Sequence, residues 1–259
     1  MKVAIPSYNR VKILKEKTLN MLLTEGFDPK DIYVFLKNEE QLEQYKAGIE
    51  SPLNWVVCHN QNLSDKRTFI RRYFAEGEEI LSIDDDVKRI KFLKPQPLKQ
   101  FVSRMFELLK QEKLTAFGIY PVNQTNMFYC KDRVVKGSVY LVGSFYGFLN
   151  KQAEEWPTVC DKEDKWFSCK RITEDGAVLR YEGCCADTSF YAKGGLSEYR
   201  TLQSEEEYSK RICNQFPELV KYTLKKNNHP DVKFLRKKNT ILSLYPQSHP
   251  ESQPSPQQE

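Results

Sequence analysis

The stretch that most constrains the fold is Glu79-Ile80-Leu81-Ser82-Ile83-Asp84-Asp85-Asp86-Val87, an apolar run that ends in three consecutive carboxylates. Ile80, Leu81 and Ile83 read as a strand buried on both faces, the pattern of a parallel sheet covered by helices. Three adjacent negative charges do not stay in such a core without counter-charge. The strand therefore ends at Asp84 and presents them at its carboxyl edge, where open α/β sheets bind ligands. Side chains alternate along an extended chain, which sends Asp84 and Asp86 one way and Asp85 the other. Two converging carboxylates suit Mg²⁺ or Mn²⁺, hard cations that keep positions open for phosphate oxygens. Taken alone, such a triplet is as readily a solvated acidic turn. The rest of the chain decides between the two.

Residues 2–5 form a first apolar strand, followed by the loop Pro6-Ser7-Tyr8-Asn9-Arg10. Val11, Leu14, Thr18, Met21 and Leu22 recur at helical spacing, and Gly26 with Asp28-Pro29 stops that helix. Strands over 32–36 and 55–58 flank a short polar helix over 39–46, and Ser64 caps a helix over 65–74. Strand and helix alternate about every thirty residues, which defines an α/β chain with a doubly wound, mostly parallel central sheet and helices on both faces. Further on, the pattern predicts a helix over 97–112, a strand over 114–119 and an aperiodic excursion over 123–136. A strand follows over 138–148, where Gly143 and Gly147 permit close backbone approach. A helix over 161–174, a strand over 177–181 and a helix opened by the capping box Ser204-x-x-Glu207 complete one domain, 1–245. Residues 246–259, rich in Pro, Gln and Ser, read as a disordered tail.

With 259 residues, 40% of them hydrophobic, the chain can build one large core. No run of eighteen apolar residues predicts a membrane span. The first residues lack a signal-peptide pattern. Seven cysteines, an odd number without a CxxC pair, point to reduced thiols in the cytoplasm of a protein that is not secreted. They offer no two-plus-two spacing for zinc. The net charge is +5, and basic residues cluster in 66–72, 88–94 and 225–238, which is compatible with nucleotides or nucleic acid, although charge alone more often marks solvated surface.

An N-terminal strand ending in Ile5-Pro6-Ser7-Tyr8-Asn9-Arg10, a later strand ending in Asp84-Asp85-Asp86, and an acidic pair opening the helix Glu163-Asp164-Lys165-Trp166-Phe167 stand in the order and spacing of three known motifs. The chain resembles the GT-A fold of nucleotide-sugar glycosyltransferases over about residues 1–178. A narrower likeness is to the TET-associated glycosyltransferases of phages and other viruses, thought to act on hydroxymethylated pyrimidines in DNA. It rests on residues 141–148, on Asp187-Thr188-Ser189-Phe190, and on Gly194, Gly195 and Arg200.

The resemblance implies a metal-dependent, inverting transfer of sugar from a UDP-sugar to a hydroxyl. Pro6, Ser7, Tyr8 and Arg10 would hold uracil and ribose, with Lys66 and Arg67 at a helix start suited to an anion. Asp86 would be the main ligand of Mn²⁺ or Mg²⁺. Asp84 would contact ribose or the metal's water, Asp85 the donor sugar. A late histidine often completes the metal site in this fold; His229 is the candidate over His59 and His249, though a surface turn explains it as well. Asp164 would be the general base, supported by Glu163, with Asp187 as the second candidate. Acidic residues also favour a helix's first turn for plain electrostatic reasons. Gly143, Gly147 and Trp166 would line the acceptor side or serve the core. Other acceptors, glycan or protein, remain open. A sugar nucleotidyltransferase would carry a GxGxR loop that Pro6-Ser7-Tyr8-Asn9-Arg10 lacks. A non-catalytic nucleic-acid-binding module would have no need of both acidic motifs.

Overall fold

The computed structural model describes residues 1–59, 62–121, 129–152, 162–188, 201–225 and 227–245. The apolar runs of the N-terminal half become four parallel strands, β1 (Lys2–Pro6), β2 (Ile32–Leu36), β3 (Asn54–Val57) and β4 (Glu79–Ile83), adjacent in the order β4-β1-β2-β3. The β4 strand runs straight into β5 (Val87–Phe92), with the three aspartates in the turn between them. Beyond lie β6 (Ala116–Ile119), β7 (Val134–Gly137), β8 (Phe145–Leu149), β9 (Val178–Tyr181), β10 (Cys184–Thr188), the hairpin β11 (Val220–Leu224) and β12 (Pro230–Phe234), and β13 (Thr240–Leu242). Nine strands form one sheet, β13-β7-β9-β6-β8-β4-β1-β2-β3. Only β7 and β8 oppose the common direction, as their antiparallel pairings with β9, β4 and β6 require. The mostly parallel α/β expectation holds.

Helices cover both faces. On one lie α1 (Val11–Leu14), a π-helical turn (Lys15–Leu19), α2 (Asn20–Thr24), α3 (Glu39–Gly48) and α5 (Leu98–Gln111). Leu14, Leu22, Phe101 and Met105 pack there against Val3, Ile5, Leu81 and Ile83. On the other lie α4 (Leu63–Tyr73), α6 (Glu163–Asp175) and α7 (Leu202–Gln215), where Ile70, Phe167 and Ile212 meet Phe35, Ile80 and Phe148. Among the described residues no helix is long and apolar enough to cross a membrane.

Several local readings are corrected. Asn62, not Ser64, caps α4: its side chain accepts from Asp65 N at 3.0 Å, while Ser64 is buried inside the helix. Thr201 with Ser204 forms the capping box of α7, one turn before the one expected. The strand expected from 138 begins at Phe145. The antiparallel pair β5–β10 and the β11–β12 hairpin were not anticipated, because their alternation is interrupted by charge. Gly147 lies under the Phe117 ring, where a Cβ would fall 2.2 Å from it, so this glycine serves the core. Trp166 does too: it is buried, and its Nε1 donates to Gln215 at 3.0 Å. The tail 246–259, Ser189, Phe190, Gly194, Gly195, Arg200 and His249 lie outside the described residues.

Candidate active site

The loop after β1 is held from three sides. Ser7 Oγ donates to Asp85 Oδ2 at 2.6 Å. A hydroxyl has one proton to give, so the 2.7 Å contact between Tyr45 and Ser7 has Tyr45 as donor. The Tyr45 oxygen in turn accepts from Arg10 N at 2.9 Å. Arg10 Nη1 donates to Asp85 Oδ1 at 3.1 Å and stands 3.6 Å from Asp86 Oδ2. Beneath the loop, Lys66 Nζ donates to the carbonyls of Ser7 (2.6 Å) and Phe35 (3.2 Å). Burial lowers the Lys66 amino group to about 8. Pro6 and Ser7 are buried, and the half-buried Tyr8 ring carries Lys37 Nζ 5.4 Å from its centroid.

These contacts revise three expectations. Ser7 and Lys66 turn inward and set the loop's shape. Asp85, 4% exposed, is the loop's anchor and does not face an open cleft. Arg10 clamps two of the three aspartates.

The acidic turn is pinned from the opposite side by Thr18. Its Oγ1 donates to the Asp84 carbonyl at 2.7 Å and accepts from Val87 N at 2.9 Å. Thr18 sits in the π-helical turn, a local widening found often at functional sites. Asp84 keeps 36% of its side chain exposed and meets Arg67 Nη2 at 3.5 Å. The same nitrogen is 3.6 Å from Glu163 Oε1. Arg67 also donates to Ser82 Oγ (3.0 Å), Tyr146 OH (2.7 Å) and Gly143 O (3.3 Å). Burial opposes charge on Arg67, but Tyr146, Glu163, Asp84 and Asp164 outweigh it and hold the guanidinium charged. Desolvation pushes the Asp84 carboxyl up, Arg67 pulling the other way and Asp86 and Asp85 adding to the rise. Burial, then Asp85, raises Asp86 to about 6.

Arg67 thus brings the acidic turn to the start of α6. There Asp164 Oδ2 accepts from Tyr140 OH and from Gly143 N at 3.1 Å, and Oδ1 from Lys165 N at 2.8 Å. A Cβ on Gly143 would fall 3.1 Å from that of Asp164 and 3.4 Å from Arg67 Nη2, so a side chain here would press on both. Lys165 Nζ reaches away to Asp231 and to the Val232 carbonyl (2.8 Å) on β12, tying the hairpin to this helix.

Among the described residues no group of three or more His, Cys, Asp or Glu side chains gathers to hold a metal. Asp84, partly exposed beside Arg67, and Asp86, buried and 3.6 Å from Arg10, are the two carboxylates that would hold a Mg²⁺ or Mn²⁺ ion completing its shell with water and phosphate oxygens. The structure does not bring His229 to them. It sits in the β11–β12 turn with Nδ1 3.6 Å from Glu205. His59 lies with Glu39. Asp187, on β10, is held by Arg89 at 3.0 Å and Lys91 at 3.8 Å, an ion-paired carboxylate in place of the second base candidate. Tyr45, Thr18, Tyr140 and Tyr146 escaped the sequence reading. Only the fold brings their hydroxyls to the site.

No protein-family model matches the chain, and no curated protein sequence matches it. Solved structures match in fold. Glucosyl-3-phosphoglycerate synthase from Mycobacterium tuberculosis in complex with phosphoglyceric acid aligns at TM-score 0.54 and 9% identity, over 92% of this chain and 88% of that one. The same enzyme in complex with Mn²⁺ and UDP-glucose aligns at TM-score 0.51 and 8% identity, with coverage of 92% and 88%. A mannosyltransferase from Pyrobaculum calidifontis in complex with GDP-Man and Mn²⁺ matches at 12% identity over 82% of this chain. This chain spans 64% of that one, and the TM-score of 0.49 is too low to carry an argument. At such identities the likeness establishes architecture: the fold is the GT-A fold of nucleotide-sugar glycosyltransferases. The narrower likeness to DNA-modifying enzymes finds no support in these structures.

Proposed function

We propose that the chain, as a single domain over 1–245, is a metal-dependent glycosyltransferase that moves sugar from a UDP-sugar to a hydroxyl, with hydroxymethylpyrimidine in DNA as the acceptor. One observation carries the catalytic reading: Arg67 joins Asp84 of the acidic turn to Glu163 beside Asp164, so donor and proton-transfer chemistry share one place. The acceptor rests on the resemblance of the motifs.

Asp84 and Asp86 would hold Mn²⁺ or Mg²⁺, which neutralises charge on the departing diphosphate. Tyr8 offers the outward face of the loop to a base. Asp164 takes the acceptor hydroxyl's proton. Its Oδ2 accepts from Tyr140 and Gly143 and its Oδ1 from Lys165 N alone, so Oδ1 keeps one lone pair that would take the proton. The acceptor oxygen bonds to the anomeric carbon as the bond from that carbon to the diphosphate oxygen breaks, with inversion. The test is a panel of UDP-sugars with Mn²⁺ against unmodified DNA, hydroxymethylated DNA and free glycans. Transfer to hydroxymethylated DNA alone supports the full reading. Transfer to glycans alone replaces the acceptor, and no transfer or donor hydrolysis under any condition rejects the enzyme.

A further inference from the structure

Residues 221–238 carry seven lysines and arginines against one aspartate, while the other 241 residues carry 33 against 34. The chain's entire positive excess therefore lies in residues 221–238. Lys221 and Lys233 are directly opposed across the antiparallel pair, both exposed. Cβ atoms in such a pair are about 5 Å apart, and like charges there are destabilising. Arg236, Lys237 and Lys238 follow, also exposed. Among the described residues none of these five forms an ion pair. The one acid, Asp231, is turned to Lys165, Lys162 and Lys225.

This hairpin is not remote from the site. Lys165, next in chain to Asp164, donates to Asp231 and to the Val232 carbonyl. The Phe234 ring lies 6.0 Å from the Tyr140 ring, and Tyr140 donates to Asp164.

We infer that the β11–β12 hairpin with residues 236–238 is a phosphate-backbone docking surface, which seats double-stranded DNA through Lys221 and Lys233 beside the start of α6. The inference rests on the proposed DNA acceptor and adds where the duplex lies. Opposed lysines lose their mutual repulsion against a row of phosphates, and charge complementarity selects a polyanion. Backbone contacts position a duplex without reading its sequence, so unmodified DNA binds here as well.

The experiment titrates a short unmodified duplex into the full chain at several salt concentrations, for wild type, Lys221→Gln/Lys233→Gln and Lys221→Glu/Lys233→Glu. Wild type should bind at low salt, with affinity falling steeply as salt rises. Losing two phosphate contacts should lower the log–log slope by about two and the affinity roughly tenfold at moderate salt. UDP-sugar affinity and donor hydrolysis should stay unchanged, and the variants should melt no lower than wild type. Unchanged slope and affinity in both variants overturn the surface, as does absence of duplex binding at low salt. Preference for anionic vesicles or an acidic glycan over the duplex overturns the choice of partner. If the duplex binds as stated but hydroxymethylated DNA receives no sugar, the docking surface stands and the acceptor base is what fails.

Discussion

Arg67 Nη2 lies 3.6 Å from Glu163 Oε1, with 2% and 5% of the two side chains exposed. The pair joins α4 to α6, and Asp84 meets the same nitrogen at 3.5 Å. A buried charge pair is weak evidence for net stability, but removing one partner strands the other.

Arg67→Met should therefore cost about 3–5 kcal/mol, read as a lowered urea midpoint. Arg67→Met/Glu163→Gln should recover a large part of that loss. If the double variant is as unstable as the single, the stranded Glu163 is not the cause.

Asp164→Asn should lower turnover by about a hundred- to ten-thousand-fold while UDP-sugar affinity is retained, since its contacts are with Tyr140, Gly143 and Lys165. Were it only a first-turn acid, the change would cost roughly 1 kcal/mol or less and spare turnover. Steady-state kinetics and a melting curve on one sample separate the two.

Asp86→Asn should abolish Mn²⁺-dependent UDP-sugar binding and leave the fold intact, because Arg10 retains Asp85 as its closer partner. Calorimetric titration with and without Mn²⁺ is the check. A variant that keeps its metal-dependent affinity would remove Asp86 from the site.

Lys66 gives stability a pH dependence. Burial lowers its pKa from 10.5 to about 8. Between those values the unfolded chain binds more protons than the folded one, so stability rises with pH. Below about 8 both states are charged, and the cost of burying the charge is constant. The full rise is on the order of 3 kcal/mol. Urea midpoints from pH 7 to 10 should climb in wild type relative to Lys66→Met. Parallel profiles would show that the Lys66 proton is held equally in both states.

Much of this was legible in the residues because it is dictated by short-range patterning. The run Ile80-Leu81-Ser82-Ile83 before three aspartates fixed both the buried strand and the edge at which it stops. Glu163-Asp164 marked the start of α6. What escaped were partners distant in sequence. Asp85 reads as a contact of the donor sugar until Ser7 and Arg10 are seen to enclose it, and Lys66 as an anion ligand until its amino group is found on two carbonyls. Asp187 kept its acidity in the reading because β5 and β10 were not recognised as partners, and their pairing brings Arg89 and Lys91 to it. His229 was drawn in by the late histidine that the resemblance implies, and the hairpin turn carries it to Glu205.

The π-helical turn at Lys15–Leu19 has a consequence for how this segment tolerates change in length. Thr18 must face the acidic turn to span the Asp84 carbonyl and Val87 N. Each residue of a helix advances the side-chain direction by about 100°. A single insertion or deletion between Val11 and Thr18 would swing the hydroxyl off its two partners unless the widened turn absorbed it. The segment is thus fixed in register as well as in composition, and length variation in this half of the chain belongs in the turns after α2 and α3.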